Sequence, residues 1–397
     1  MATGPRNLRA ILVLAFLSIA LMLAVACSGG EKKDLVVGVI GSMTGGASFL
    51  GESEKYGLEI AAEEINAAGG ILGRKITLVY RDDESNVDKG VTVARDLVER
   101  EKVEVIMGPA ISHVAYAVVP VVNEYKVINI PQLGITGIAD ATKSPYTFRG
   151  AWTDRMSMAK VANWLVNTKK VKKIGVVYEN SAWGTGLRDD LKAELSPLGV
   201  TPVAEQASQP GATDFTPQLT AMKNAGAEAV VAAALFTELA KIVKDRDKLG
   251  MNIPVVGHMT STFPAFRQLA GESIKEVYSY LPKAVAFAPG GDIPAKSKAF
   301  LDKVATKFGN TRTDQPQLTG QYYDALYLYS EAVKKAGSTD SAKVKVAFEG
   351  ISGYQGLMDT YKFGPTQHDG SSNPLVVLKA FKWHTDPKYG GTFETAE

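Results

Sequence analysis

Short, nearly continuous apolar runs alternate with helical stretches from residue 35 onward, and partway along the chain this alternation ends and begins again. A strand that is apolar on both faces needs helices on both sides of its sheet, so each series predicts its own parallel α/β layer structure. Leu35-Val36-Val37-Gly38-Val39-Ile40 is the first such strand. A Gly-rich loop follows, then a helix from about residue 53. In it Leu58, Ala61 and Ile65 recur at three- and four-residue spacing until Gly69-Gly70 stops it. Strands at 76–80, 103–107 and 127–130, with helices at 87–99 and 114–124, complete one sheet domain. The second series runs helix 156–166, strand 174–178, helix 187–195, helix 215–224, strand 229–235, helix 238–248 and strand 253–257. Beyond residue 277 come a Pro- and Gly-rich stretch, amphipathic helices at 297–308 and 322–335, and a late strand at 375–381. That tail is too poor in strands for a third sheet. It is expected to complete the two lobes by crossing between them several times, which makes a hinge. A length of 397 residues suits two such lobes and is too great for one core.

The N-terminus has a different character. Arg6 and Arg9 precede an apolar run over residues 10–26 that is broken only by Ser18, and Ala24-Val25-Ala26 lead into Cys27 and Ser28-Gly29-Gly30. A basic head, an apolar middle and small residues at the end make a secretory signal that is short for a membrane span. The segment resembles a bacterial lipoprotein signal, which implies cleavage after residue 26 and lipidation of Cys27. Cys27 is the single cysteine, so a mature chain holds no internal disulfide and no cysteine-based metal cluster. Formal net charge is +2, and loss of residues 1–26 removes two arginines and no acid. A near-neutral chain without basic runs is a poor nucleic-acid binder, and its densest basic cluster, Lys169, Lys170, Lys172 and Lys173, reads as a solvated helix end before a strand.

Catalytic machinery is sparse. The four histidines, His113, His258, His368 and His384, are scattered without ligand spacing, and the sequence has no GxSxG elbow and no Walker loop. Asp82-Asp83-Glu84 reads as a capping and loop-covering group rather than a metal site. No enzyme activity, cofactor or metal is expected. The informative segments lie just past strand C-terminal ends, where open α/β sheets place ligands. Gly108-Pro109-Ala110-Ile111-Ser112-His113 joins strand to helix, so the Ser112 hydroxyl and neighbouring N–H groups can face an anion. Pro131-Gln132-Leu133-Gly134-Ile135-Thr136 offers a hydroxyl and main-chain groups, and Ser181-Ala182-Trp183-Gly184-Thr185-Gly186 puts an aromatic on the facing lobe.

Val37-Gly38-Val39-Ile40-Gly41-Ser42-Met43-Thr44-Gly45, Ala67-Ala68-Gly69-Gly70-Ile71-Leu72-Gly73, Tyr80-Arg81-Asp82-Asp83-Glu84, Ile106-Met107-Gly108-Pro109, Pro145-Tyr146-Thr147-Phe148-Arg149, the strand and loop over 174–186 and Gly320-Gln321-Tyr322-Tyr323-Asp324-Ala325 resemble the branched-chain amino acid binding family. These are the type I periplasmic binding proteins of ABC importers, and the likeness runs from about residue 36 to 382. The resemblance implies two doubly wound lobes with open parallel sheets joined by a three-crossing hinge. It divides the chain into a signal peptide at 1–26, an anchor linker at 27–33 and a C-terminal tail at 391–397. The first lobe would comprise 34–150 with 283–354, and the second 151–282 with 355–390. It further implies a monomer in the periplasm or on the outer face of the cell membrane, closing over a small solute and handing it to ABC permease and ATPase subunits.

By the same resemblance Ser112 holds a ligand carboxylate, Gly134 and Thr136 contact carboxylate and amine, and Trp183 and Phe236 cover the ligand. Where leucine-type members place a glutamate for the ligand ammonium, this chain has Met259, in Gly257-His258-Met259-Thr260. A buried ammonium without a partner costs several kcal/mol. Either Asp154 or Glu238 takes over, or the ligand has no amine. Phe49, Trp183, Phe236 and Met259 suggest an apolar chamber. A branched-chain or other hydrophobic amino acid and a non-amino hydrophobic or aromatic carboxylic acid therefore both stay open, as does a ligand-sensing receptor domain on the same fold.

Overall fold

The structure, a computed structural model, describes residues 33–45, 47–287, 293–310, 315–383, 386–389 and 391–396. The expected signal peptide at 1–26, Cys27 and His384 lie outside the described residues.

In the first lobe, β1 (Leu35–Gly41), α1 (Ser48–Ala67), β2 (Ile76–Asp82), α2 (Val87–Glu99), β3 (Val105–Met107), α3 (Ser112–Tyr125) and β4 (Ile128–Ile130) form a parallel sheet of order β2-β1-β3-β4. The second lobe repeats the plan. It contains α4 (Asp154–Asn163), β5 (Ile174–Glu179), α5 (Ala182–Leu195), β6 (Ala204–Ser208), α6 (Thr216–Asn224), β7 (Ala229–Ala233), α7 (Phe236–Lys248), β8 (Val255–Gly257), α8 (Pro264–Ala270) and β9 (Val277–Pro282). Its parallel strands run β6-β5-β7-β8-β9. Both sheets thus reverse strand order beside their first strand, which opens a crevice at the strand ends.

The rest of the chain is shared between the lobes. Helices α9 (Ala295–Phe308), α10 (Pro316–Ala336) and α11 (Ser341–Glu349) precede a hairpin of β10 (Ser352–Gln355) and β11 (Thr360–Lys362). Tyr322, Tyr329, Phe348, Tyr361 and Phe363 enter the same core as Val37, Leu58 and Ile128. The chain then returns to the second lobe as β12 (Leu375–Trp383), antiparallel to β9, with β13 (Phe393–Thr395) beyond it.

The second sheet is parallel through β9 and is extended by β12 and β13, which add to it antiparallel. Two expectations are corrected. The chain leaves the first lobe after Gly370 rather than at Tyr354, because Tyr361 and Phe363 are core residues there and Arg149 pairs with Asp369 at 2.7 Å. Helix α10 begins at Pro316, six residues before the amphipathic pattern suggests. Its first turns bury Gln317, Thr319 and Gln321, polar residues that a hydrophobic period does not register. Strand β6 was missed for a related reason: Ala204–Ser208 is a largely polar, half-exposed edge.

Candidate functional site

Loops that follow strands of one lobe meet loops and helices of the other. The loop after β1 is tied down by the acids at the end of β2. Ser42 Oγ donates to Asp83 Oδ1 at 2.6 Å, and Met43 N and Thr44 Oγ1 donate to Asp82 at 2.9 and 2.6 Å. These acids are therefore loop anchors, and Asn86, not they, caps α2. Among the described residues no group of three His, Cys, Asp or Glu side chains could hold a metal ion.

At the first turn of α1 the Phe49 ring lies edge-on to Phe236 and Phe263 of the second lobe, with centroids 6.3 and 5.6 Å apart. Phe236 and Phe263 themselves lie 6.2 Å apart. A ring stacked between two others needs about 7 Å, twice the carbon contact distance. The three phenylalanines thus close on each other and do not sandwich a ring. Met259 lies nearby in a one-turn helix, half-buried, and packs against both the second-lobe core and the cluster around Phe300.

Ser112 is the first residue of α3, half-buried, with no side chain capping the helix. Its hydroxyl and the free first-turn N–H groups are suited to an anion. The loop after β4 is clamped by Arg149, whose Nη1 donates to the carbonyls of Leu133 and Ile135 at 3.0 and 2.5 Å. Gly134 then meets the second lobe directly. Asp154 N donates to Gly134 O at 2.6 Å, and a Cβ on residue 134 would lie 2.4 Å from Asp154 Oδ1, so only glycine lets that carboxylate in. Thr136 sits at the rim, where its Oγ1 donates to Asp190 Oδ2 of α5 at 3.1 Å.

Asp154 is the electrostatic centre. It opens α4, whose N-cap is Thr153, and it is buried. Burial pushes its carboxyl up to about 6, with Asp190 adding to the rise, while Arg149 and a hydrogen bond with Trp183 oppose it. Trp183 in turn lies edge-on to His258 at 5.1 Å, and His258 to Tyr280 at 6.0 Å. Burial pushes His258 down to about 4, so this wall of the second lobe is neutral apart from its acid. Glu238 lies in the first turn of α7, half-buried, two residues past Phe236.

Asp154 therefore joins Gly134 and Trp183, and Phe49 joins Phe236. Sequence reasoning missed Phe263, Asp190 and His258. The first two gain their place only through partners far away in sequence. His258, directly before Met259 at the end of β8, was open to the same strand-end argument.

The sequence profile of the Periplasmic binding protein family matches residues 34–381. The chain belongs to that family. This binding protein is 27% identical to the Leu/Ile/Val-binding protein homolog 3 of Brucella melitensis, over 92% of its own length and 96% of the relative's. A periplasmic binding protein type 1 from Bordetella pertussis superposes with a TM-score of 0.78 at 26% identity, covering 89% of this chain and 97% of that one. The branched-chain amino acid transporter substrate-binding protein LivJ of Streptococcus pneumoniae, solved with isoleucine, gives a TM-score of 0.75 at 25% identity, covering 89% and 97%. A solute-binding role follows for this chain.

Proposed function

We propose that this binding protein captures an amino acid between its lobes, by lobe closure, and delivers it to an ABC permease. The observation that carries this reading is the buried Asp154 carboxylate against Gly134 and Trp183. It supplies the acid for a ligand ammonium that Met259 cannot supply. Ser112 and the first-turn N–H groups of α3 take the ligand carboxylate, and Trp183 with His258 forms the covering wall. The relatives named as homologs of Leu/Ile/Val-binding proteins, and LivJ with isoleucine, support an aliphatic amino acid. The basic-apolar-Cys27 leader supports export and a lipid anchor, with the lobes outside the cytoplasmic membrane. No helix among the described residues is long and apolar enough to cross a membrane.

Matched pairs of ligands test the amine directly in a thermal-shift assay: leucine against 4-methylpentanoate, and isoleucine against 3-methylpentanoate. A ligand that binds only the folded state raises the melting temperature with concentration. Stabilisation by the amino acids and not by the bare acids is expected. Stabilisation by the bare acids alone would transfer the assignment to a non-amino carboxylate.

A further inference from the structure

The crevice where the first sheet reverses its strand order holds an acid with no cation beside it. Glu54, in the second turn of α1, is completely buried, and the Tyr322 hydroxyl is the hydrogen-bonding group at its carboxyl. The backbone has been kept clear for it on both sides. A Cβ at Gly41, which ends β1, would lie 2.8 Å from Glu54 Oε2, and one at Gly108, just past β3, would lie 2.6 Å from Oε1. Each glycine opens a loop of the site, the first leading to Phe49 and the second to Ser112.

The groups facing Glu54 are all acidic or neutral among the described residues. Asp83, past β2, acts on it as a like charge, the Tyr322 hydroxyl of α10 lies beside it, and Tyr80 of β2 feels its charge. Asp83 is itself buried with Oδ2 unpartnered, while its Oδ1 holds the Ser42 hydroxyl. A negative Glu54 would therefore be a second buried anion with no cation to offset it, a state that proteins avoid by keeping the proton or by opening the site. Burial, with Asp83 second, holds the Glu54 carboxyl well above its ordinary range.

We propose that Glu54 is a positioning residue that must carry its proton for the β1–α1 and β3–α3 loops to hold their binding geometry. The proposal rests on the reading that those loops contact the solute. Loss of the proton puts two anions under Gly41 and Gly108, and the loops are what can move to admit water. Capture is then lost at alkaline pH through the loops.

Infrared spectroscopy and hydrogen exchange test this on the folded protein. At about pH 8, Asp154 and Asp324, each pushed up to about 6, are ionised. A neutral carboxylic C=O band is expected to persist there in the wild type and to be absent from Glu54→Gln. As pH rises, the wild-type band should fade together with exchange protection of peptides 41–51 and 108–113, while Glu54→Gln, which mimics the neutral acid, keeps that protection. With isoleucine as probe, wild-type affinity should fall about tenfold per pH unit beyond the band's midpoint and stay level in Glu54→Gln. Absence of the wild-type band at about pH 8, or equal loop opening in both proteins, overturns the proposal. If Glu54→Gln does not fold, the wild type alone decides, because loops that open while the band remains overturn it too. Failure of isoleucine to bind either protein removes the amino-acid reading, while the band and the exchange data still judge Glu54.

Discussion

In the proposed site Asp154 would have to be buried to face a solute in the cleft and ionised to hold an ammonium, and these demands oppose each other. Its carboxyl, pushed up to about 6 by burial, is mostly charged at neutral pH and gives up that charge within reach below it. An ammonium beside it favours the charged form, so binding releases a proton wherever the free site is protonated. Calorimetric affinity for isoleucine should therefore be level between about pH 7 and 8 and decline as pH falls through about 6. Asp154→Asn should lose about 2–5 kcal/mol of binding and the pH dependence with it. On the other side of the ligand, Ser112→Ala should cost about 1–3 kcal/mol by unpairing a buried carboxylate. Unchanged affinity in that variant would remove Ser112 from the site. That Ser112, Gly134, Trp183 and Phe236 stand just past strand ends could be read from the apolar runs alone. That Thr136 turns to Asp190, and Phe49 to Phe263, could not, because no local pattern encodes a contact between residues so far apart in sequence.

Elements show the same division. Strands β1, β5 and β7 declare themselves as apolar runs, since both faces are covered. Helix α10 hides its start, because its early buried residues are polar. One residue of that helix explains why the chain stays in the first lobe as far as the β10–β11 hairpin. Asp324 is buried and accepts hydrogen bonds from Leu357 N and Met358 N, each at 2.7 Å, and from Tyr361 Oη at 2.6 Å. Its carboxylate thereby fixes the turn between β10 and β11 onto α10. Asp324→Ala orphans three buried donors and should destabilise the protein by about 3 kcal/mol or more in urea unfolding. Asp324→Asn keeps one acceptor and should fall between that variant and the wild type. If the alanine variant unfolds with the wild type, the hairpin is held by its aromatic residues and not by this carboxylate.

At the scale of the whole molecule, side-chain contacts cross directly from one lobe to the other. Phe49 meets Phe236 and Phe263 edge-on across the cleft, and Thr136 donates to Asp190 at its rim. Each edge-to-face pair is worth about 0.5–1.5 kcal/mol beyond its area burial, so the two that Phe49 makes bias closure by about 1–3 kcal/mol. A ligand shifts the same equilibrium only by its preference for the closed form. Closure energy already present in the protein therefore raises apparent affinity, and its loss lowers apparent affinity by up to the same amount once the open form dominates. Phe49→Ala should accordingly increase the radius of gyration of the ligand-free protein in small-angle scattering. Saturating isoleucine should restore the compact value, at an affinity weaker by about 1–3 kcal/mol. Phe263→Ala should act in the same direction, and the double variant should lose less than the sum, because the two residues share one contact. Fully additive losses would mean that each ring touches the ligand separately. Unchanged scattering and affinity in Phe49→Ala would mean that the rings meet without holding the lobes together, leaving Thr136, Asp190 and the ligand to close the cleft.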